Sequence, residues 1–98
     1  MQIAAADIDQ LNPPTDAADL MRYASSKGHA LWAGWETLRS GRRLFSLRVD
    51  GPGWDIAATW SAPRESAPYL ASLLVWEDAV GKWEYASLTE ARDRIGAS

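Results

Sequence analysis

The chain is 98 residues long with a net charge of −3, no cysteine and one histidine, which excludes a disulfide framework and leaves no zinc site of the usual type. Hydrophobic residues at 47% and charged residues at 23% are ordinary globular values, so one domain spanning 1–98 with a single core is expected. The departure from the ordinary is six tryptophans, a supply of indole that implies either an aromatic-heavy core or a contact surface.

Charge is unevenly spread. Residues 1–38 set Asp7, Asp9, Asp16, Asp19 and Glu36 against Arg22 and Lys27, a balance of −3. Residues 39–64 set Arg39, Arg42, Arg43, Arg48 and Arg64 against Asp50 and Asp55, a balance of +3, and residues 65–98 return to −3. A basic middle between acidic ends disfavours wholesale attraction to nucleic acid, while the local arginines suit an anion or an acidic partner surface. The apolar run Tyr69 to Trp76 falls far short of the ~20 residues that span a bilayer, so no membrane association is expected. The start, Met1 to Asp7, lacks the basic and apolar segments of a secretory signal, so cytoplasmic residence is expected.

Residues 1–14 show weak periodicity and end in Asn12-Pro13-Pro14, which predicts an irregular lead-in. Thr15 or Asp16 then caps a helix over about 16–27, with Ala17, Leu20, Met21 and Ala24 on its apolar face and Gly28 as its stop. Residues 31–38 fit a helical stripe or a strand. The strand is preferred because Arg39-Ser40-Gly41-Arg42 has hairpin-turn chemistry. Phe45, Leu47 and Val49 alternate with Leu44, Ser46 and Arg48 in the next strand, and Asp50-Gly51-Pro52-Gly53 forms a turn. Trp54, Ile56, Ala58 and Trp60 then line one face of a third strand.

Two prolines mark residues 61–68 as a loop. In residues 69–76, Tyr69, Ala71, Leu73 and Val75 alternate with Leu70, Leu74 and Trp76, so both faces are apolar and both are expected to be covered. Glu77 to Gly81 turn the chain into a fifth alternating segment, Lys82 to Ala86. Ser87-Leu88-Thr89-Glu90 is a capping box that opens a short helix over about 88–95, with Gly96 past its end. The fold class is therefore α+β: about five antiparallel strands in a meander between an N-terminal and a C-terminal helix.

No catalytic residue, metal site or cofactor is predicted. His29 follows the helix-ending Gly28 with no nucleophile or orienting acid specified beside it, so it reads as structural or solvated. Glu77-Asp78 lacks a third acid at fixed spacing, and Ser25-Ser26-Lys27 points its side chains in different directions around a helix end. Gly51-Pro52-Gly53 is too short for a phosphate loop and is not followed by Gly-Lys-Ser/Thr.

Arginine and tryptophan carry more. Arg42, Leu44, Ser46 and Arg48 share one strand face, with Arg39 and Arg43 at the same turn, which reads either as a charged hairpin edge or as a recognition surface. Trp54, Trp60, Trp83, Tyr85, Phe45 and Leu73 are the expected core set, leaving Trp32 and Trp76 for the opposite face. Something must cover that face: the lead-in, a split pair of helices, a second copy of the chain, or another protein. The binding residues expected are Trp32, Arg39, Arg42, Arg43, Leu44, Arg48 and Trp76.

The leading expectation is a small non-enzymatic module that docks on a larger protein, with the character of an inhibitor, an immunity protein or an accessory factor of a phage or mobile element. The alternative is nucleic-acid binding, with bases stacked on Trp32 or Trp35 and phosphates held by Arg42, Arg43 and Arg48. A Trp-lined small-ligand or enzyme pocket is the third reading, for which no residue pattern speaks.

Overall fold

A computed structural model describes residues 2–97. Pro14, with φ −52° and ψ 148°, brings the chain into helix α1, Thr15–Ser26. The capping expected of Thr15 or Asp16 is not found: Pro14 occupies the N-cap, where its carbonyl accepts the Ala18 N–H, and the Asp16 carboxylate takes the Ala17 N–H instead. Gly28, at φ +82°, then turns the chain through a conformation that costs glycine little.

Five strands follow in chain order: β1 (Ala30–Thr37), β2 (Arg43–Gly51), β3 (Trp54–Ala62), β4 (Tyr69–Glu77) and β5 (Lys82–Tyr85). Each pairs antiparallel with the next, giving sheet order β1-β2-β3-β4-β5. Residues 31–38 are thus largely strand, as the adjoining turn chemistry predicts. Pro52-Gly53 closes the β2–β3 hairpin, and Gly51 beside it has to be glycine because a Cβ there would collide with the Trp54 ring. Helix α2, Leu88–Gly96, opens with the predicted capping box, in which Ser87 and Glu90 satisfy each other's backbone N–H. Gly96 is the helix's last residue rather than the one beyond it, and Ala97 caps the end.

All the helical structure lies on one side of the sheet. Ala17, Leu20, Met21 and Ala24 of α1 and Ala91 and Ile95 of α2 form a single buried cluster with Leu31, Phe45, Leu47, Val49, Trp54, Ile56, Ala58, Trp60 and Leu73. These sheet residues alternate along each strand and so share one face. The lead-in is ordered into two 3₁₀ turns, Ala5–Asp7 and Asp9–Leu11, and it too joins this core through Ile3 and Ile8. A bridge between Gln2 and Trp32, with the Ile3 N–H donated to the Leu31 carbonyl, ties it to the outer edge of β1.

Three expectations about the faces of the sheet are overturned. Ala71 is an extra residue in β4, because Thr59 pairs with Ser72 while Trp60 pairs with Leu70. This bulge shifts the alternation by one, so Leu70 joins Leu73 and Val75 on the core side and Tyr69 turns to the other. Trp83 and Tyr85, expected in the core, are opposite Trp76 and Leu74 in the β4–β5 register and are exposed. No second layer of described residues covers Leu74 and Trp76, contrary to the reading of β4 as buried on both faces.

Candidate functional site

The uncovered face of the sheet is built in rows that run across the strands. One row is Trp32, Arg48, Ala57, Leu74 and Tyr85, each the register partner of the next. Beside it toward the β2–β3 turn lie Asp50, Asp55, Trp76 and Trp83. On its other side runs a row of small residues, Gly34, Ser46, Thr59 and Ser72, followed by Glu36, Leu44, Ser61 and Tyr69. Trp32 is 37% exposed at the β1 edge of this face, while Trp83 at 39%, Tyr69 at 49% and Tyr85 at 83% lie toward the β5 edge, a large exposed aromatic complement for one sheet face.

Arg48 organises one end. Its guanidinium lies 3.3 Å from the Asp55 carboxylate and extends over β3 and β4 toward the ring of Trp83, 5.3 Å from its centroid, so charge and stacking fix it together. Trp76 tilts against Trp83 with centroids 5.9 Å apart, and its indole N–H donates to Asp78 at 2.9 Å. Asp50 stands directly opposite Asp55 across the β2–β3 ladder. A hydrogen bond with Asp55 raises the Asp50 pKa, assisted by burial and the Asp55 charge and opposed by Arg48.

Arg42 organises the other end, where it donates to the Ser61 hydroxyl at 2.7 Å and to the Tyr69 phenol at 3.1 Å. Hydrogen bonds with Ser61 and Arg42, together with the Arg42 charge, lower the Tyr69 pKa from its ordinary value. The small row between the two ends floors a trough of about 470 Å3, with Trp32 and Leu74 on one wall.

Of the seven residues predicted to bind, Trp32, Arg42, Leu44, Arg48 and Trp76 are brought together here. Arg43 is not: its guanidinium stacks 4.1 Å over Trp35 on the helix side, where the Trp35 indole N–H donates to the Leu11 carbonyl at 2.8 Å. Arg39 sits exposed in the β1–β2 turn. The β1–β2 hairpin does not make both its strands edges, because β2 is interior to the sheet.

Sequence reasoning missed Trp83, Tyr85, Tyr69 and the Asp50–Asp55 pair as members of the face, and grouped Leu74 with Trp76 without counting it among the binding residues. Alternation alone shows which residues of β5 travel together but not which side they take. The Asp pair had a readable signal, two acids flanking a four-residue turn, that identifies them as neighbours once the hairpin register is set.

His29 meets Trp54 edge-on, with ring centroids 5.0 Å apart, which is a packing contact. Among the described residues no three His, Cys, Asp or Glu side chains are grouped to hold a metal ion, and no helix is long and apolar enough to cross a membrane. No family model matches this chain, and no curated protein or solved structure is found to be similar to it.

Proposed function

We propose that this chain is a non-catalytic protein-docking module that works through its open sheet face, in the manner of a cytoplasmic inhibitor, immunity or accessory protein. The observation that carries the reading is the gathering of Trp32, Trp83, Tyr85, Leu74, Trp76 and Arg48 on the one face that neither helix nor lead-in covers. Tryptophan, tyrosine and arginine are the residues that dominate the energetics of protein interfaces, the two aromatics because they remove large areas from water at modest entropic cost and arginine because its planar fork of donors both hydrogen-bonds and stacks.

Docking on protein is favoured over nucleic acid by how the arginines are used. Arg48 is neutralised by Asp55, Arg43 is stacked on the helix side, and Asp50 adds negative charge where a phosphate would have to lie. The test is capture from a native lysate and from a pool of tagged copies of the chain itself, using the wild type beside a folded Trp32→Ala, Arg42→Ala double variant. A protein retained by the wild type, lost by the variant and little affected by salt supports the reading. Retention of nothing, or of oligonucleotide with a steep salt dependence, overturns it.

A further inference from the structure

Gly34 sits in the middle of β1 with no internal reason to be glycine. Its backbone is not left-handed, and a Cβ built on it meets nothing within 4 Å. Glycine in a strand interior weakens the strand, and it commonly marks a place where another group approaches closely. Two residues away on the same face stands Trp32, a large side chain that is partly exposed. A knob and a hole therefore lie side by side on one strand.

The same offset runs across the sheet. The row Trp32, Arg48, Ala57, Leu74 adjoins the trough floored by Gly34, Ser46, Thr59 and Ser72. A twofold axis lying across the strands between these two rows sets each copy's tall row into the other's trough, as an isologous contact requires. The same operation carries the row holding Asp50 and Asp55 over the partner's Ser61 and Tyr69, which is where Arg42 is anchored by its two hydrogen bonds. Among the described residues Arg42 has no carboxylate partner, so a carboxylate supplied by another copy completes it.

The area suffices. Five strands at ~4.8 Å spacing and about eight residues at ~3.4 Å present a face of on the order of 600 Å2 in projection. Two such faces remove about 1,200 Å2, the lower bound for a specific stable interface, from a sheet pair packed ~10 Å apart at about −30°.

We propose that the occupant of the open face is a second copy of this chain, with Trp32 seated over the partner's Gly34 and Arg42 meeting the partner's Asp50–Asp55 pair. This rests on the docking reading and names its partner.

Sedimentation equilibrium across a concentration series, with thermal melts at the lowest concentration, tests it. The wild type forms a concentration-dependent dimer. Gly34→Val fills the hole and associates about tenfold more weakly or worse, yet melts higher as a monomer because a β-branched residue suits an open strand position. Arg42→Glu and Asp50→Arg each weaken self-association about tenfold, and an equimolar mixture of the two variants restores a dimer, since each reversed charge then meets its complement.

A wild type that sediments as a monomer at every concentration overturns the proposal, as does a Gly34→Val variant that dimerises like the wild type or a mixture that fails to rescue. A monomeric wild type that still captures a different protein through Trp32 leaves the docking reading standing and removes only the second copy as its partner.

Discussion

Phe45 and Trp60 face each other across β2 and β3, both fully buried, their ring centroids 6.2 Å apart and inclined at 62°. Trp35 adds a third ring 5.1 Å from Phe45, so the centre of the core is an edge-to-face aromatic stack rather than an aliphatic layer. Trp60→Ala is expected to cost about 3–5 kcal/mol through lost burial and a residual cavity. Trp83→Ala, on the exposed face, should change stability by less than about 1 kcal/mol. Urea unfolding of the two variants beside the wild type measures the contrast, and equal losses would contradict the assignment of the two indoles to opposite faces.

Asp50 makes the fold sensitive to acid in an unusual direction. Its pKa is raised above 3.8 by the Asp55 hydrogen bond, burial and the Asp55 charge, so the folded state binds its proton more tightly than the unfolded state does. Its favourable contribution is fully present below pH 3.8 and is lost as pH rises through the raised value. Asp50→Asn cannot lose it. At a concentration low enough for the chain to be monomeric, the variant should melt higher than the wild type at pH 7, with the difference shrinking as pH falls toward 3. Thermal melts across that range check the sign.

Tyr69 reports on the Arg42 anchor. Its phenol should ionise below the ordinary tyrosine value in a spectrophotometric titration of the phenolate absorbance, because hydrogen bonds from its Ser61 and Arg42 neighbours favour the phenolate. In Arg42→Ala the early phase should move back toward the ordinary tyrosine value. An unchanged titration curve would show that Arg42 does not hold the phenol in solution.

The start of α2 depends on Ser87. Its hydroxyl accepts the Glu90 N–H at 3.1 Å while the Glu90 carboxylate accepts the Ser87 N–H at 3.1 Å. Ser87→Ala should cost about 1 kcal/mol, and Ser87→Asp should recover most of it because aspartate caps as well as serine does. Since α2 contributes Ala91 and Ile95 to the core, the loss should appear in global unfolding rather than as local fraying alone.

Local chemistry in the chain determined most of the architecture. The alternation of Phe45, Leu47 and Val49, the turn from Asp50 to Gly53, the Gly28 stop and the Ser87 capping box each act over a few residues, so each is readable without the rest of the molecule. Adjacent hairpins then fix the meander, because short turns leave consecutive strands nowhere to go but beside each other.

The tertiary structure decided what the sheet does with its two sides. A period of two sorts Trp83 and Tyr85 together but is blind to which face the helices take, and only the packing of α1, α2, Ile3 and Ile8 on a common side leaves those rings outside. The Ala71 bulge carries no glycine or proline to announce it, yet it reverses Leu70 and Tyr69 and so delivers the phenol that anchors Arg42. Which residues can alternate is a property of the backbone. Which of them meet water is settled by the competition among all apolar surfaces for one small core.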